Sequence, residues 1–424
     1  MSARPVRLDI YRTAIPMRTF EHAAAKRDVA EAVVTRVTFD DGGVGWGETL
    51  PRPYVTGETI QSVVHDLQNA IWPACRGLDV ADGECLAALD KVTGGQGCMN
   101  AARCAFELTL VDCGAPMECG GHMECGGNVP KGRDTALDGG HRPDQTARLS
   151  NVMATAKAAS HPPSADLPPH SIAVRISGVL GSADPAGTAR RLRLMRLYGL
   201  RDFKLKLGFG DDIDAENLRV IQKRIGKAIA AGKCSLRVDV NGGWDAATTL
   251  DRVEGLKQFG ICVVEQPVYC SAVELVELAR WCALPLMADE SLLTYADAQV
   301  LAKEPQQVWW NIRISKNGGL SDAFVLAAMA KDHGIPFSIG CMVGESSILS
   351  AAQRRLLQML GPWSHPRFVE GNYGRFLLAD DLTTRSIRFG YGGRLKPLKG
   401  PGFGVTVDPA KLAKYGTLVK TLEA

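Results

Sequence analysis

The sequence predicts an α/β fold of successive βα units, closed as a parallel sheet or barrel, behind a smaller α+β domain. Two observations between Phe203 and Gly319 carry this. Short apolar runs alternate with amphipathic stretches of helical length, such as 215–231, 246–259 and 271–282, at a period of roughly 25 to 30 residues. The apolar runs also end again and again in one charged residue. Phe-Lys-Leu-Lys-Leu holds Lys204 and Lys206, Leu-Arg-Val-Asp-Val-Asn carries Asp239 and Asn241, and Cys-Val-Val-Glu-Gln-Pro carries Glu265. Pro-Leu-Met-Ala-Asp-Glu-Ser carries Asp289 and Glu290, and Trp-Trp-Asn-Ile-Arg-Ile-Ser-Lys-Asn-Gly-Gly carries Arg313 and Lys316. Charge at the ends of buried parallel strands is unfavourable unless it does chemistry, and in a (β/α) barrel the strand C-termini form the reactive face.

The elements follow in order. Residues 6–12 and 32–39 alternate as antiparallel strands, and Asp-Asp-Gly-Gly at 40–43 is a hairpin signal. Residues 16–28 read as a polar loop holding Arg18 and Phe20. Helices are expected over 56–73, opened by a capping box near Thr56 or Glu58, and over 83–93 and 99–113. The stretch 114–170 is rich in Gly and Pro and contains a near-duplication, Met-Glu-Cys-Gly-Gly-His-Met-Glu-Cys-Gly-Gly. Its Cys and His spacing falls short of a four-ligand zinc site, so it reads as a surface excursion. The barrel starts at Ser171 and continues through helices at 186–198 and 320–333, a strand at 335–339, a turn from Gly340 to Ser347, a helix to Leu360 and a last strand at 368–370. The tail is expected to pack back on the first domain. The division is thus 1–113, 114–170, 171–375 and 376–424.

The 424 residues suffice for two domains and a large core. A net charge of +3 is too mild to argue for nucleic acid or a membrane surface, and no run of 18 apolar residues implies a span. The opening residues lack a signal-peptide core, and twelve scattered cysteines suit a reducing, cytoplasmic compartment better than a disulfide framework.

Asp239, Glu265 and Asp289 are three hard oxygen donors on consecutive strands, a set suited to Mg²⁺, with Mn²⁺ as a substitute. Lys204 and Lys206 point the same way along one strand. A lysine beside a divalent cation loses its proton more readily, which suits a general base. The cation would also stabilise an enolate formed from a carboxylate substrate.

With these residues in place, the chain resembles the enolase superfamily, and within it the muconate lactonizing enzyme subgroup. The likeness rests on Gly45-Trp-Gly-Glu, Val55-Thr-Gly-Glu-Thr, Lys204-Leu-Lys206, Asp239-Val-Asn, Glu265-Gln-Pro, Asp289-Glu-Ser, Asn311-Ile-Arg-Ile-Ser-Lys-Asn-Gly-Gly and the closing Gly-Pro-Gly-Phe-Gly-Val-Thr-Val-Asp. It spans nearly the whole chain apart from 114–170. The resemblance implies a modified (β/α)₇β TIM-like barrel under an α+β cap completed by the C-terminal tail. It implies Mg²⁺ on Asp239, Glu265 and Asp289, with Lys206 as acid/base tuned by Lys204. Cap loops around 17–28 and 50–56 would cover a small carboxylate, placing Arg18, Phe20 and Tyr54 beside Asn241, Glu290, Cys341, Glu345 and Glu370. A homo-oligomer is compatible with it.

One departure stands out. The subgroup usually carries Lys-x-x-Lys on the sixth strand, the first lysine serving the opposite face. Here that position is Arg313, with Lys316 matching the second. Arginine stays protonated, so it can hold a carboxylate but is a poor proton shuttle. The expected reaction is therefore a one-base cycloisomerisation or syn elimination. The alternatives are an amino-acid or dipeptide racemase or epimerase, and a catalytically reduced relative that only binds a carboxylate.

Overall fold

A computed structural model describes residues 3–22, 25–94, 99–113, 174–181, 183–361 and 363–424. The expectation for 114–170 lies outside the described residues, as does the expected barrel start at Ser171. The chain begins with β1 (Pro5–His22), β2 (Ala25–Phe39) and β3 (Val44–Thr49). These form an antiparallel sheet in the order β12-β1-β2-β3, its edge supplied by β12 (Gly416–Glu423) from the far end of the chain. Of the stretch 16–28, read from sequence as a loop, residues 16–22 and 25–28 instead continue β1 and β2 as a paired hairpin, Phe20 pairing with Arg27 beyond an irregularity after Pro16. The reason is visible in the alternation: Ile15 and Met17 face the core while Ala14, Pro16 and Arg18 face out.

The expected helix at 56–73 is two pieces, α1 (Pro53–Thr56) and α2 (Ile60–Asp66), the latter running on through a π turn at Leu67–Ile71 into α3 (Trp72–Cys75). Its capping box is Thr59 with Ser62, not Thr56 or Glu58. Glu58 instead lies buried and accepts from Ala101 N at 2.8 Å, at the start of α5. Helices α4 (Glu84–Thr93) and α5 (Asn100–Asp112) complete the cap. Gly45 and Gly47 let β3 lie directly on α5, for a Cβ on either would meet the Thr109 or Ala105 carbonyl. The Gly-Trp-Gly pattern is thus a packing requirement.

The barrel alternates β4 (Gly178–Leu180), α6 (Pro185–Leu197), β5 (Asp202–Lys206), α7 (Asp211–Ala230), β6 (Ser235–Asp239), α8 (Ala246–Leu256) and β7 (Ile261–Glu265). It continues with α9 (Ala272–Ala279), β8 (Leu286–Ala288), α10 (Tyr295–Leu301), β9 (Val308–Ile312), α11 (Leu320–Asp332), β10 (Phe337–Ile339), α12 (Ser347–Leu360) and β11 (Phe368–Val369). The eight parallel strands pair in chain order. The ring closes where Ile176 bridges Val369 in parallel and Ser177 N donates to Val369 O at 2.8 Å. After β11 the chain runs back across the cap, Leu378 bridging Met17, before α13 (Pro409–Tyr415) leads into β12. Among the described residues every cysteine is free, and no helix is long and apolar enough to cross a membrane.

Candidate functional site

Strand register assembles the site. Lys206 pairs with Asp239 and Asp239 with Glu265, so three of the expected residues lie in one row at the strand ends. Asp289 follows the end of β8, where Gln266 Oε1 accepts from Asp289 N at 2.9 Å and Ser291 N at 3.2 Å. Gln266 (φ 35°), Asn241 (φ 50°) and Asn372 (φ 54°) are the non-glycine residues with positive φ among the described residues, and each follows a strand-end acid within two positions. Such backbone is unfavourable and tends to mark functional loops.

Asp239, Glu265 and Asp289 are fully buried, and each is turned onto cations. Lys204 Nζ stands 3.1 Å from Asp239 and from Glu265, and 2.8 Å from Glu370. Lys206 Nζ donates to Asp239 Oδ2 and Asn241 Oδ1, both at 2.6 Å. Arg313 Nη2 contacts Asp289 Oδ2 and lies 3.5 Å from Glu265 Oε1. Lys316 Nζ is held by Asp289 O at 2.7 Å, Asn311 O at 2.8 Å and Asp289 Oδ1 at 3.1 Å. Among the described residues no group of three or more His, Cys, Asp or Glu side chains is placed to hold a metal ion. The expected metal ligands are brought to one end of the barrel, but their oxygens face ammonium and guanidinium groups.

Electrostatics follow this pairing. Burial opposes charge on Asp239, yet Lys206 and Lys204 outweigh it and hold the carboxyl below its usual range. Burial likewise opposes charge on Glu370, but Lys204 and Arg237 bring it down to about 2. Burial and the neighbouring Asp239 push Glu265 up. For Lys204, burial is outweighed by Glu265, Glu370 and Asp239, which hold it above the ordinary lysine value. Lys316 lies well below that value, because burial and Arg313 both disfavour its charge.

Above the row opens a cavity of about 480 Å³, within the range of small-molecule sites. Arg18, Phe20 and Tyr54 line it from the cap side, and Lys204, Lys206, Asn241, Arg313, Cys341, Glu345 and Glu370 from the barrel side. Two residues of the sequence-based set lie off this lining. Lys316 lies beneath Asp289 with no exposed surface and does not line the cavity; Glu290 also lies outside it, its Oε1 3.4 Å from Asn241 Nδ2. Burial and Asp239 raise Glu290 to about 7, and burial raises Glu345 to about 8.

Sequence reasoning missed Arg237, which is fully buried, contacts Glu370 and stacks 4.2 Å over the Phe368 ring. Its signal was available, since it precedes Asp239 by two residues and therefore shares its face. The apolar wall of Met195, Tyr198, Leu377 and Phe389 was also missed; part of it comes from the non-periodic tail, where no pattern announces it.

The sequence pattern of the Enolase C-terminal domain-like family matches residues 187–411. An L-Ala-D/L-Glu epimerase of Bacillus subtilis (strain 168) is 28% identical over 361 residues, 82% of this chain and 83% of that protein. Muconate cycloisomerase 1 of Rhodococcus opacus is 34% identical over 209 residues, 49% of this chain and 53% of that protein. Among solved structures, the N-succinyl Arg/Lys racemase from Bacillus cereus ATCC 14579 superposes with a TM-score of 0.75 at 22% identity, covering 99% of this chain and 100% of that one. That last likeness is one of fold.

Proposed function

The chain belongs to the Enolase C-terminal domain-like family, in the muconate lactonizing enzyme-like part of the enolase superfamily, and from that premise we propose a Mg²⁺-dependent enzyme that removes the α-proton of a carboxylate substrate. The observation that carries the reading is the position of Lys206, which lines the cavity and touches one of three strand-end carboxylates. The donor set suits Mg²⁺: all its oxygens are hard, and the buried Glu290 Oε2 beside it has no hydrogen-bond partner among the described residues. Asp239, Glu265 and Asp289 would hold the ion, with Mn²⁺ as a substitute. When bound, Mg²⁺ supplies the positive charge against which a carboxylate can become an enolate.

The chain's own residues do the rest. Lys206 takes the α-proton from one face of the carbon and can return it there. Lys204, held charged by three carboxylates, orients Glu265 and Glu370 rather than moving protons. Arg313 faces the cavity as a permanent cation whose planar fork can hold a second substrate carboxylate bidentately. Tyr54, Phe20 and Arg18 line the cap side, where they can contact the substrate.

This arrangement favours one-base chemistry, a cycloisomerisation or syn elimination. A second reading is favoured by the relatives that match four-fifths of the chain, which include an epimerase and a racemase. Epimerisation needs proton delivery to both faces, and on the Arg313 side the nearest lysine is buried Lys316. Exchange in D₂O with Mg²⁺ and α-substituted carboxylates separates the readings. Exchange with retained configuration is expected. Lys206→Ala should abolish it while metal binding survives; exchange at the parent rate in that variant would remove Lys206 as the base. Efficient racemisation by the parent would establish the second reading. Carboxylate binding without exchange would leave only a binding protein.

A further inference from the structure

The three strand-end carboxylates are already answered by the chain's own cations, five of them against four acids. Asp239, Glu265, Asp289 and Glu370 meet Lys204, Lys206, Arg237, Arg313 and Lys316 in one continuous network of ion pairs. A divalent cation added to this set would face uncompensated positive charge unless one of the five leaves. The five are unequally held. Arg237 has no exposed surface and is sandwiched between Glu370 and the Phe368 ring. Lys316 is enclosed by three oxygens, two of them backbone carbonyls. Lys204 touches three carboxylates at once, and Lys206 engages only one of the trio.

Arg313 is the least completely held of the cations that span two ligands. Its guanidinium spans two of the three expected ligands, Asp289 and Glu265. Its other contact is Met342 Sδ at 3.7 Å, a weak acceptor, and its buried Nε has no hydrogen-bond partner among the described residues. It also borders the cavity, so the side chain has somewhere to go.

We infer that Arg313 is an internal competitor for the metal position: its guanidinium bridges Asp289 and Glu265 in the metal-free chain and must swing into the cavity for a divalent cation to bind. This rests on the reading of Asp239, Glu265 and Asp289 as the metal ligands. The exchange has two consequences. Intrinsic metal affinity is low, because each binding event breaks the Arg313 bridge. The displaced guanidinium then stands in the cavity beside the ion, where an anionic substrate would hold it. Metal and substrate therefore bind with positive coupling, each favouring the displaced arginine.

The test is calorimetric titration of the metal-free protein with Mg²⁺ and Mn²⁺, comparing the parent with Arg313→Met, Arg313→Lys and the ligand variant Glu265→Gln. A unit charge this near a divalent ion is worth more than one decade of binding even when strongly screened. Arg313→Met should bind Mn²⁺ tenfold or more tightly than the parent, with Arg313→Lys between them. Loss of a merely structural arginine would weaken binding, so the direction itself discriminates. Circular dichroism of the variants checks that they are folded; should Arg313→Met fail to fold, the lysine variant carries the comparison. Equal or weaker affinity in the folded variants overturns the inference while leaving the metal site standing. If the parent and Arg313 variants all fail to bind metal, or if Glu265→Gln binds as the parent does, the metal reading itself falls.

Discussion

Arg237 sits fully buried two residues before Asp239, its charge answered by Glu370 and its face by the Phe368 ring. Glu370 in turn is shared with Lys204. Removing one partner from a buried pair strands the other, which typically destabilises a protein by about 3–5 kcal/mol. Arg237→Leu is therefore expected to lower urea-unfolding stability by about that amount. Arg237→Leu combined with Glu370→Leu should recover part of it, since no charge is then left unpaired. A single variant as stable as the parent would mean the pair is relieved by water. At this scale the sequence was a partial guide. A lone charge at the end of an apolar run marks a position, which is why Asp239, Glu265 and Asp289 could be named. It does not say which cation each carboxylate meets, because that depends on side-chain reach across strands; Lys316, for one, meets Asp289 with no exposed surface.

Glu48 shows how one residue ties two elements from different parts of the chain. It is the last residue but one of β3 and accepts from Ser346 N at 3.0 Å, Ser346 Oγ at 2.7 Å and Leu349 N at 3.0 Å, so it caps α12 across the cap–barrel boundary. Burial raises its carboxyl from 4.5 to about 7, although those three donors oppose the shift. The folded state thus keeps the proton up to about 7, while the unfolded chain releases it near 4.5. Between those values the unfolded state binds fewer protons, so stability is fully present below 4.5 and falls as pH rises through 7. Glu58, raised to about 7, and Glu345, raised to about 8, act in the same direction. The metal-free protein should lose thermal stability steadily from pH 5 to 8. Glu48→Gln, which carries no titrating proton, should flatten part of that slope, as thermal melts across the range would reveal. An unchanged slope would show that Glu48 is ionised in the fold. The elements themselves were mostly legible, because a βα period survives in sequence. The long β1–β2 hairpin was not, since Pro16 and its polar neighbours look like a loop until the inward alternation of Ile15 and Met17 is weighed.

The whole molecule is held together at the loop that follows Arg313. Asn100 Nδ2 donates to Lys316 O at 2.7 Å and Leu293 O at 2.9 Å. Ser315 Oγ meets Thr49 Oγ1 at 2.8 Å and Leu50 N at 3.1 Å. Glu107 Oε1 accepts from Ser321 N at 2.8 Å, and Arg103 donates to Gly318 O. Helix α5 and β3 of the cap thus grip the loop that carries the sixth-strand cations. That contact requires Gly318 and Gly319, whose φ values of 92° and 128° disfavour other residues; a Cβ on Gly319 would meet the Glu107 carboxylate. The Asn-Gly-Gly after Lys316 therefore serves assembly, although in sequence it reads only as a turn. Because the grip joins residues more than 200 positions apart, cap and barrel should unfold as one cooperative unit. Trp46 and Trp72 report on the cap and Trp310 on the barrel, while far-ultraviolet circular dichroism reports on both. In the parent the fluorescence and dichroism transitions in urea should coincide. Gly319→Ala should cost about 2 kcal/mol or more from backbone strain and the Glu107 clash together. It should also split the transitions, because the strain falls on the surface that couples the two parts. Coincident transitions at unchanged midpoint in that variant would mean that the grip does not couple them. The lasting contact would then be the β1–β12 pairing at the opposite side of the cap, where Leu8 faces Leu422 and Thr13 faces Gly416.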